Sequence, residues 1–162
     1  MMGSGKSTVG KLIAKKLKMK FFDSDKLIEE DQGKTISEIF QAQGEPAFRV
    51  LEKSMIAKLA NEKDAVIATG GGAPLAQENW QAFGQKGLVV WLKAKAESLH
   101  ARLNQGGSKA RPILKDSFSV EKISQILNER SPFYNKANFT IETDLLVPEE
   151  TAEKIISFVG LR

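Results

Sequence analysis

Met1-Met2-Gly3-Ser4-Gly5-Lys6-Ser7-Thr8 opens the chain, and from Gly3 onward it matches the second half of the pattern G-x-x-x-x-G-K-[ST]. Glycines in this pattern let backbone N–H groups turn inward as a nest around phosphates, and the helix that starts here adds the positive end of its dipole. Lys6 reaches the β- and γ-phosphates as a point charge, and Ser7 offers a hydroxyl to Mg²⁺. Gly3, Ser4, Gly5, Lys6, Ser7 and Thr8 are therefore the candidate nucleotide-binding residues. The competing view is a glycine-rich turn that only caps a helix. Against it, Val9, Leu12, Ile13 and Leu17 follow at helical spacing and predict an amphipathic helix over 6–17. The first glycine of the full pattern would fall one position before Met1, and the strand feeding such a loop would precede it too. A truncated or misassigned start is the expectation.

Outward from this loop, short apolar runs alternate with helical patterns. Phe21-Phe22 reads as a strand ending at the turn Asp23-Ser24-Asp25. Thr35 with Glu38 predicts a capping box opening a short helix over 35–41, and Pro46 lies near the start of a second helix over 45–61. Buried strands are expected at 65–68, 88–92 and 138–141, and further helices at 75–83, 96–103, 120–135 (interrupted near Pro132) and 148–159. Residues 104–109, Asn-Gln-Gly-Gly-Ser-Lys, form a polar stretch that predicts a mobile loop. Strands that are continuous apolar runs between helices mean a mostly or wholly parallel sheet covered on both faces, a three-layer α/β/α domain spanning 1–162.

The bulk composition excludes more than it identifies. The chain has 162 residues, 41% of them hydrophobic, which suffices for one core and one domain. With no cysteine there is no disulfide, thiolate metal site or cysteine nucleophile, and a single His (His100) argues against a histidine zinc site. The net charge of +4 suits anionic small molecules. Much of the excess lies in Lys11, Lys15, Lys16, Lys18 and Lys20, read as a solvated helix face rather than a nucleic-acid stripe. The apolar runs are too short to span a bilayer, and no signal or transit segment is visible, so a cytoplasmic setting is expected.

Three further groupings bear on the acceptor. Asp23 and Asp25 place two carboxylates at a strand end, where one can support Mg²⁺ while the other faces an acceptor hydroxyl; an Asx-turn capping the next helix is the plainer alternative. Arg49 and Glu52 share a helix face at i,i+3, a spacing more often found in a surface ion pair than in a site. Gly70-Gly71-Gly72 after a strand allows a ligand ring to approach the backbone, or is simply a flexible turn.

In order, these pieces resemble the shikimate kinase family along nearly the whole chain. The matching elements are G-S-G-K-S-T at 3–8, F-x-D-S-D at 21–25, G-E-x-x-F-R-x-x-E at 44–52 and T-G-G-G at 69–72. Arg111-Pro112-Ile113-Leu114 and Arg130-Ser131-Pro132-Phe133-Tyr134 with Ala137 complete the set. The resemblance implies a P-loop kinase fold with a lid at about 105–117 and a substrate-binding helical segment at about 24–61. It implies transfer of the γ-phosphate of Mg·ATP to the 3-hydroxyl of shikimate, on the route to chorismate and aromatic amino acids. It makes Lys6, Asp25 and Arg111 the catalytic residues, with Arg111 also touching the nucleotide phosphates when the lid closes. Arg49 and Arg130 would grip the shikimate carboxylate, Gly70, Gly71 and Gly72 would line the pocket beside Asp25, and Ser7 with Asp23 would hold Mg²⁺. ATP and shikimate are the expected partners of a monomer, with neither nucleic acid nor membrane. One departure stands out: Asn104 occupies a position where the family often carries an adenine-stacking arginine.

Two other readings compete. A gluconate kinase-like or nucleoside monophosphate kinase-like enzyme would share the P-loop, and a carboxylate-gripping arginine also suits gluconate. A non-catalytic descendant would be expected to have lost Lys6, Asp25, Arg49 or Arg130, all of which are present.

Overall fold

A computed structural model describes residues 1–84, 87–105 and 119–160. Helix α1, Lys6–Leu17, follows the loop directly. Strand β1, Lys20–Asp23, leads into α2, Ser24–Gln32, and then into α3, Ile36–Leu59. Strand β2, Ala65–Ala68, precedes a 3₁₀ turn at Ala73–Leu75 and α4, Gln77–Gly84. The order continues with β3, Val90–Lys93, α5, Ala96–Gln105, α6, Val120–Tyr134, β4, Phe139–Glu142, and α7, Pro148–Gly160.

Among the described residues all strand pairing is parallel, but the expected single sheet is divided. β1 pairs with β2 in the register Lys20 to Ala65 through Asp23 to Ala68, and β3 pairs with β4 from Val90 to Phe139 through Lys93 to Glu142. Among the described residues, β2 and β3 form no ladder with each other. Side-chain packing joins the two pairs instead. Val9 and Ile13 of α1 and Ala152 and Ile155 of α7 cover Leu92 of β3, Ile141 of β4 and Val66 of β2 in one apolar cluster. On the other face, Trp91 of β3 packs with Leu99 of α5 and Ile123 and Tyr134 of α6. Phe22 and Ile67, from β1 and β2, pack with Ile28 of α2 and Ile39, Phe48, Met55 and Leu59 of α3. Neighbouring residues such as Trp91 and Leu92, or Val66 and Ile67, thus serve opposite faces, as the alternation of a strand requires. The three layers are therefore helix, paired strands, helix.

The local expectations fare unevenly. Residues 24–32 form a helix that the apolar pattern did not mark, although the Asx-turn alternative and the helical segment implied at 24–61 both allow it; Asp23 caps it by accepting from the Lys26 N–H, and buried Ile28 anchors it. α6 runs through Pro132 to Tyr134 instead of breaking there. The two helices expected at 35–41 and 45–61 are both present: non-helical Gly44 separates them within α3, and the capping box of Thr35 and Glu38 is in place at the start of the first. The lysines of the first helix region are exposed, with Lys20 paired to Glu62 at 3.0 Å.

Gly44 has φ 78 and ψ 171, a conformation open essentially to glycine alone. A Cβ there would have room, its nearest neighbour being Pro46 Cδ at 3.6 Å, so any penalty is a backbone one. Gly44→Ala is expected to destabilise the protein by about 1–3 kcal/mol, read as a lower midpoint in urea unfolding with an unchanged slope.

Candidate active site

Each of the other described α-helices starts with a side-chain cap or an acidic residue in its first turn, including Glu78 in α4 and Glu97 in α5, but α1 does not. Asp23 caps α2, Thr35 caps α3, Ser119 caps α6, and α7 carries Glu149 and Glu150 in its first turn. α1 has no side-chain cap and no acidic residue in its first turn, and Gly5 before it takes φ 87. The amides at its start therefore remain open to an anion. Ser4 is buried and its hydroxyl donates to the Met1 carbonyl at 2.8 Å, fixing the loop from inside. Lys6 Nζ donates to the same carbonyl at 2.6 Å, folded back across the loop whose phosphates it would meet. Gly3 takes φ 73, and Thr8 is exposed.

Asp23 links this loop to the next element. Its Oδ2 accepts from the Ser7 hydroxyl at 2.6 Å while Oδ1 caps α2, so the capping and site roles of this residue coexist. Two hard oxygen ligands on adjacent elements, beside an uncapped helix start, fit Mg²⁺, which keeps most of its waters and needs only one or two protein oxygens. No cluster of three acidic or histidine side chains occurs among the described residues, and such an ion arriving with a nucleotide does not require one.

One residue after Ser24, Asp25 enters the first turn of α2 and faces the glycine turn. Ser24 is fully buried, and its hydroxyl accepts from the Gly70 N–H at 3.2 Å, joining α2 to that turn. Asp25 Oδ1 and Glu52 Oε1 lie 2.7 and 2.8 Å from where a Cβ on Gly70 would stand, so two carboxylates converge on a position only glycine can hold. At Gly72 the Arg49 guanidinium takes the same kind of space, with Nη2 at 2.6 Å and Cζ at 2.7 Å from the point a Cβ would occupy. Arg130 Nη1 is 3.5 Å from the corresponding point at Gly71, which lies 3.4 Å from Met1 Cα in the phosphate loop. The hydroxyl of Tyr134 donates to the Gly71 carbonyl at 2.7 Å, and Asn79 Nδ2 donates to the Ala73 carbonyl at 2.8 Å, pinning both sides of the turn.

Arg49 and Glu52 are not the surface pair that their spacing suggests. Glu52 is 1% exposed; its Oε2 accepts from Arg49 Nη1 at 2.8 Å and its Oε1 is buried without a hydrogen-bond partner. Burial raises the Glu52 carboxyl above the usual carboxylate range and the charge of Asp25 adds to this, while Arg49 opposes both. Burial pulls on the Arg49 guanidinium in the other sense, but its bonds to Glu45 and Glu52 outweigh that and leave it raised. Burial also raises the Tyr134 phenol, with Arg130 opposing, so its hydroxyl stays a proton donor.

The structure thus brings together Asp25, Arg49, Gly70, Gly71, Gly72 and Arg130, and joins them through Asp23 and Met1 to the phosphate loop. Arg111, Lys109 and the lid expected at 105–117 lie outside the described residues, apart from Gln105 at the end of α5. Asn104 lies within hydrogen-bonding distance of the His100 ring, at 3.4 Å, while Arg102 Nη1 donates to Thr143 Oγ1 at 3.1 Å. Ser24 and Tyr134 were given no individual role by sequence; their partners lie far along the chain, and nothing local announces them.

What this arrangement can do is hold polyphosphate at one end and a small carboxylic acid with hydroxyls at the other. Comparisons with known proteins bear on the family. A family model described as shikimate kinase matches residues 2–160. Shikimate kinase of Caldicellulosiruptor bescii is 43% identical over 156 residues, 96% of this chain and 90% of that one. Its counterpart in Thermodesulfovibrio yellowstonii is 45% identical over 155 residues, 96% of this chain and 88% of that one. The solved structure of shikimate kinase from Acinetobacter baumannii in complex with shikimate superposes with a TM-score of 0.90 at 37% identity, covering 98% of this chain and 88% of that one.

Proposed function

Because this chain belongs to the shikimate kinase family, we propose a specific division of labour by which its residues move the γ-phosphoryl group of ATP onto the 3-hydroxyl of shikimate. The chain is an ATP-dependent kinase that phosphorylates shikimate. The observation that best supports the assignment of roles is the convergence of Asp25, Arg49 and Arg130 on Gly70–Gly72, next to the loop holding Lys6.

Gly3, Ser4, Gly5 and Thr8 shape the phosphate nest, and Lys6 leaves the Met1 carbonyl for the β- and γ-phosphates. Ser7 and Asp23 would hold Mg²⁺, which would supply neutralising charge at the transferred group. Arg49 and Arg130 grip the shikimate carboxylate and thereby set which hydroxyl faces the nucleotide. Asp25 accepts the proton of that hydroxyl or orients it. A bond forms between the hydroxyl oxygen and the γ-phosphorus, the bond to the β,γ-bridging oxygen breaks, and ADP leaves. Arg111, which lies outside the described residues, adds a positive charge at the phosphates.

No helix among the described residues is long and apolar enough to cross a membrane; we place the enzyme in the cytoplasm, acting as a monomer without nucleic-acid partners. Phosphorus and proton NMR of the reaction product tests the orientation. Phosphorus coupled to the ring proton at C3 is the expected result, and a phosphoryl group on another hydroxyl would overturn the placement of Asp25 relative to the two arginines.

A further inference from the structure

Arg49 divides its guanidinium between two carboxylates of very different exposure. Nη1 donates to Oε2 of Glu52, which is almost fully buried. Nε and Nη2 both donate to Glu45 Oε1, at 3.1 and 2.7 Å, and the Glu45 side chain is 60% exposed. The Nε/Nη2 edge is one of the planar forks that receive a carboxylate in two parallel hydrogen bonds. One such edge of Arg49 is occupied by a carboxylate of the protein itself.

We propose that Glu45 is a built-in stand-in for the substrate carboxylate, holding the Nε/Nη2 edge of Arg49 until shikimate displaces it. This rests on the reading that Arg49 grips the shikimate carboxylate. Exposure decides which glutamate yields. Removing Glu52 from Arg49 would leave a buried carboxylate beside Asp25 without its counter-ion, which is strongly unfavourable. Glu45 swings into water, and an exposed pair contributes little to hold it back. It also has a resting place, because it follows the kink at Gly44 and so sits at the start of the second half of α3, where the first amides favour a negative charge. The consequence is selectivity. An anion that reaches Arg49 alone competes with Glu45 on nearly equal terms, whereas an acid that also reaches Arg130 and Asp25 outcompetes it.

Titration calorimetry with shikimate on the wild type, Glu45→Gln, Arg49→Ala and the double variant tests this. Glu45→Gln changes an exposed side chain and keeps its shape. It is expected to lower the Kd for shikimate by about two- to fivefold, the range an exposed ion pair allows. ATP affinity should stay unchanged, and the gain should vanish when Arg49 is already alanine. Equal or weaker shikimate binding in Glu45→Gln would overturn the proposal, as would a gain that persists in the Arg49→Ala background, since that would be a general charge effect. If Arg49→Ala alone leaves shikimate binding intact, the carboxylate grip itself fails and the stand-in falls with it. If Arg49→Ala weakens binding while Glu45→Gln does not strengthen it, only the stand-in falls.

Discussion

Asp25→Asn is expected to lower kcat by about two orders of magnitude or more, the range a positioned general base supplies. Asparagine keeps the shape of Asp25 in the first turn of α2 but removes its ability to take the proton of the acceptor hydroxyl. It also removes a negative charge beside Glu52, so the Glu52 carboxyl should move back toward the ordinary range. ATP binding should be little affected, because the Ser7 hydroxyl of the phosphate loop bonds Asp23, which the substitution leaves in place. Steady-state kinetics at saturating shikimate, with unfolding midpoints as a control, reads the effect. Near-normal turnover in a folded variant would remove Asp25 from the mechanism.

Arg49→Ala should weaken shikimate binding by roughly 30- to 1,000-fold, corresponding to about 2–4 kcal/mol for a lost charge-assisted, partly buried grip. Two losses combine. The substrate carboxylate loses its fork of donors, and Glu52 is left buried without the bond to Nη1 that offsets its burial. Glu52 then holds its proton to still higher pH, which limits the damage to the fold. ATP affinity should remain close to that of the wild type, since Arg49 packs against Gly72 while the phosphate loop meets the neighbouring Gly71. Calorimetry with each substrate in turn separates the outcomes, and an equal loss for both would contradict the assignment.

How much of this was legible in the sequence depended on whether the signal was local. The helix over 6–17 follows from four apolar residues at helical spacing, and its bounds match. The capping box needs only Thr35 and Glu38, three residues apart, and it forms as expected. By contrast, α2 has few apolar residues over 24–32, among them Leu27 and Ile28, so its period is weak; the Asp23 cap and the burial of Ile28 under α3 supply what the pattern lacks. The division of the strands into two pairs was equally hidden, because apolar runs announce strands but not which edges bond. Within the site, the motif positions could be named one by one, but the burial of Glu52 could not, since the i,i+3 spacing with Arg49 is the same on a surface as in a core. What makes it a site is the approach of Gly70 from 18 positions away in sequence, a tertiary fact. Tyr134 gripping the Gly71 carbonyl belongs to the same class.

ADP release from Mg·ATP in the presence of shikimate, gluconate or a nucleoside monophosphate, measured on the folded protein, tests the central claim most directly. Release that depends on shikimate and is absent with the other acceptors is the expected result. Release driven equally well by gluconate or a nucleotide would mean that the pocket around Gly70–Gly72 serves another acceptor, and no release with any of them would mean that the assembled residues bind without catalysing transfer.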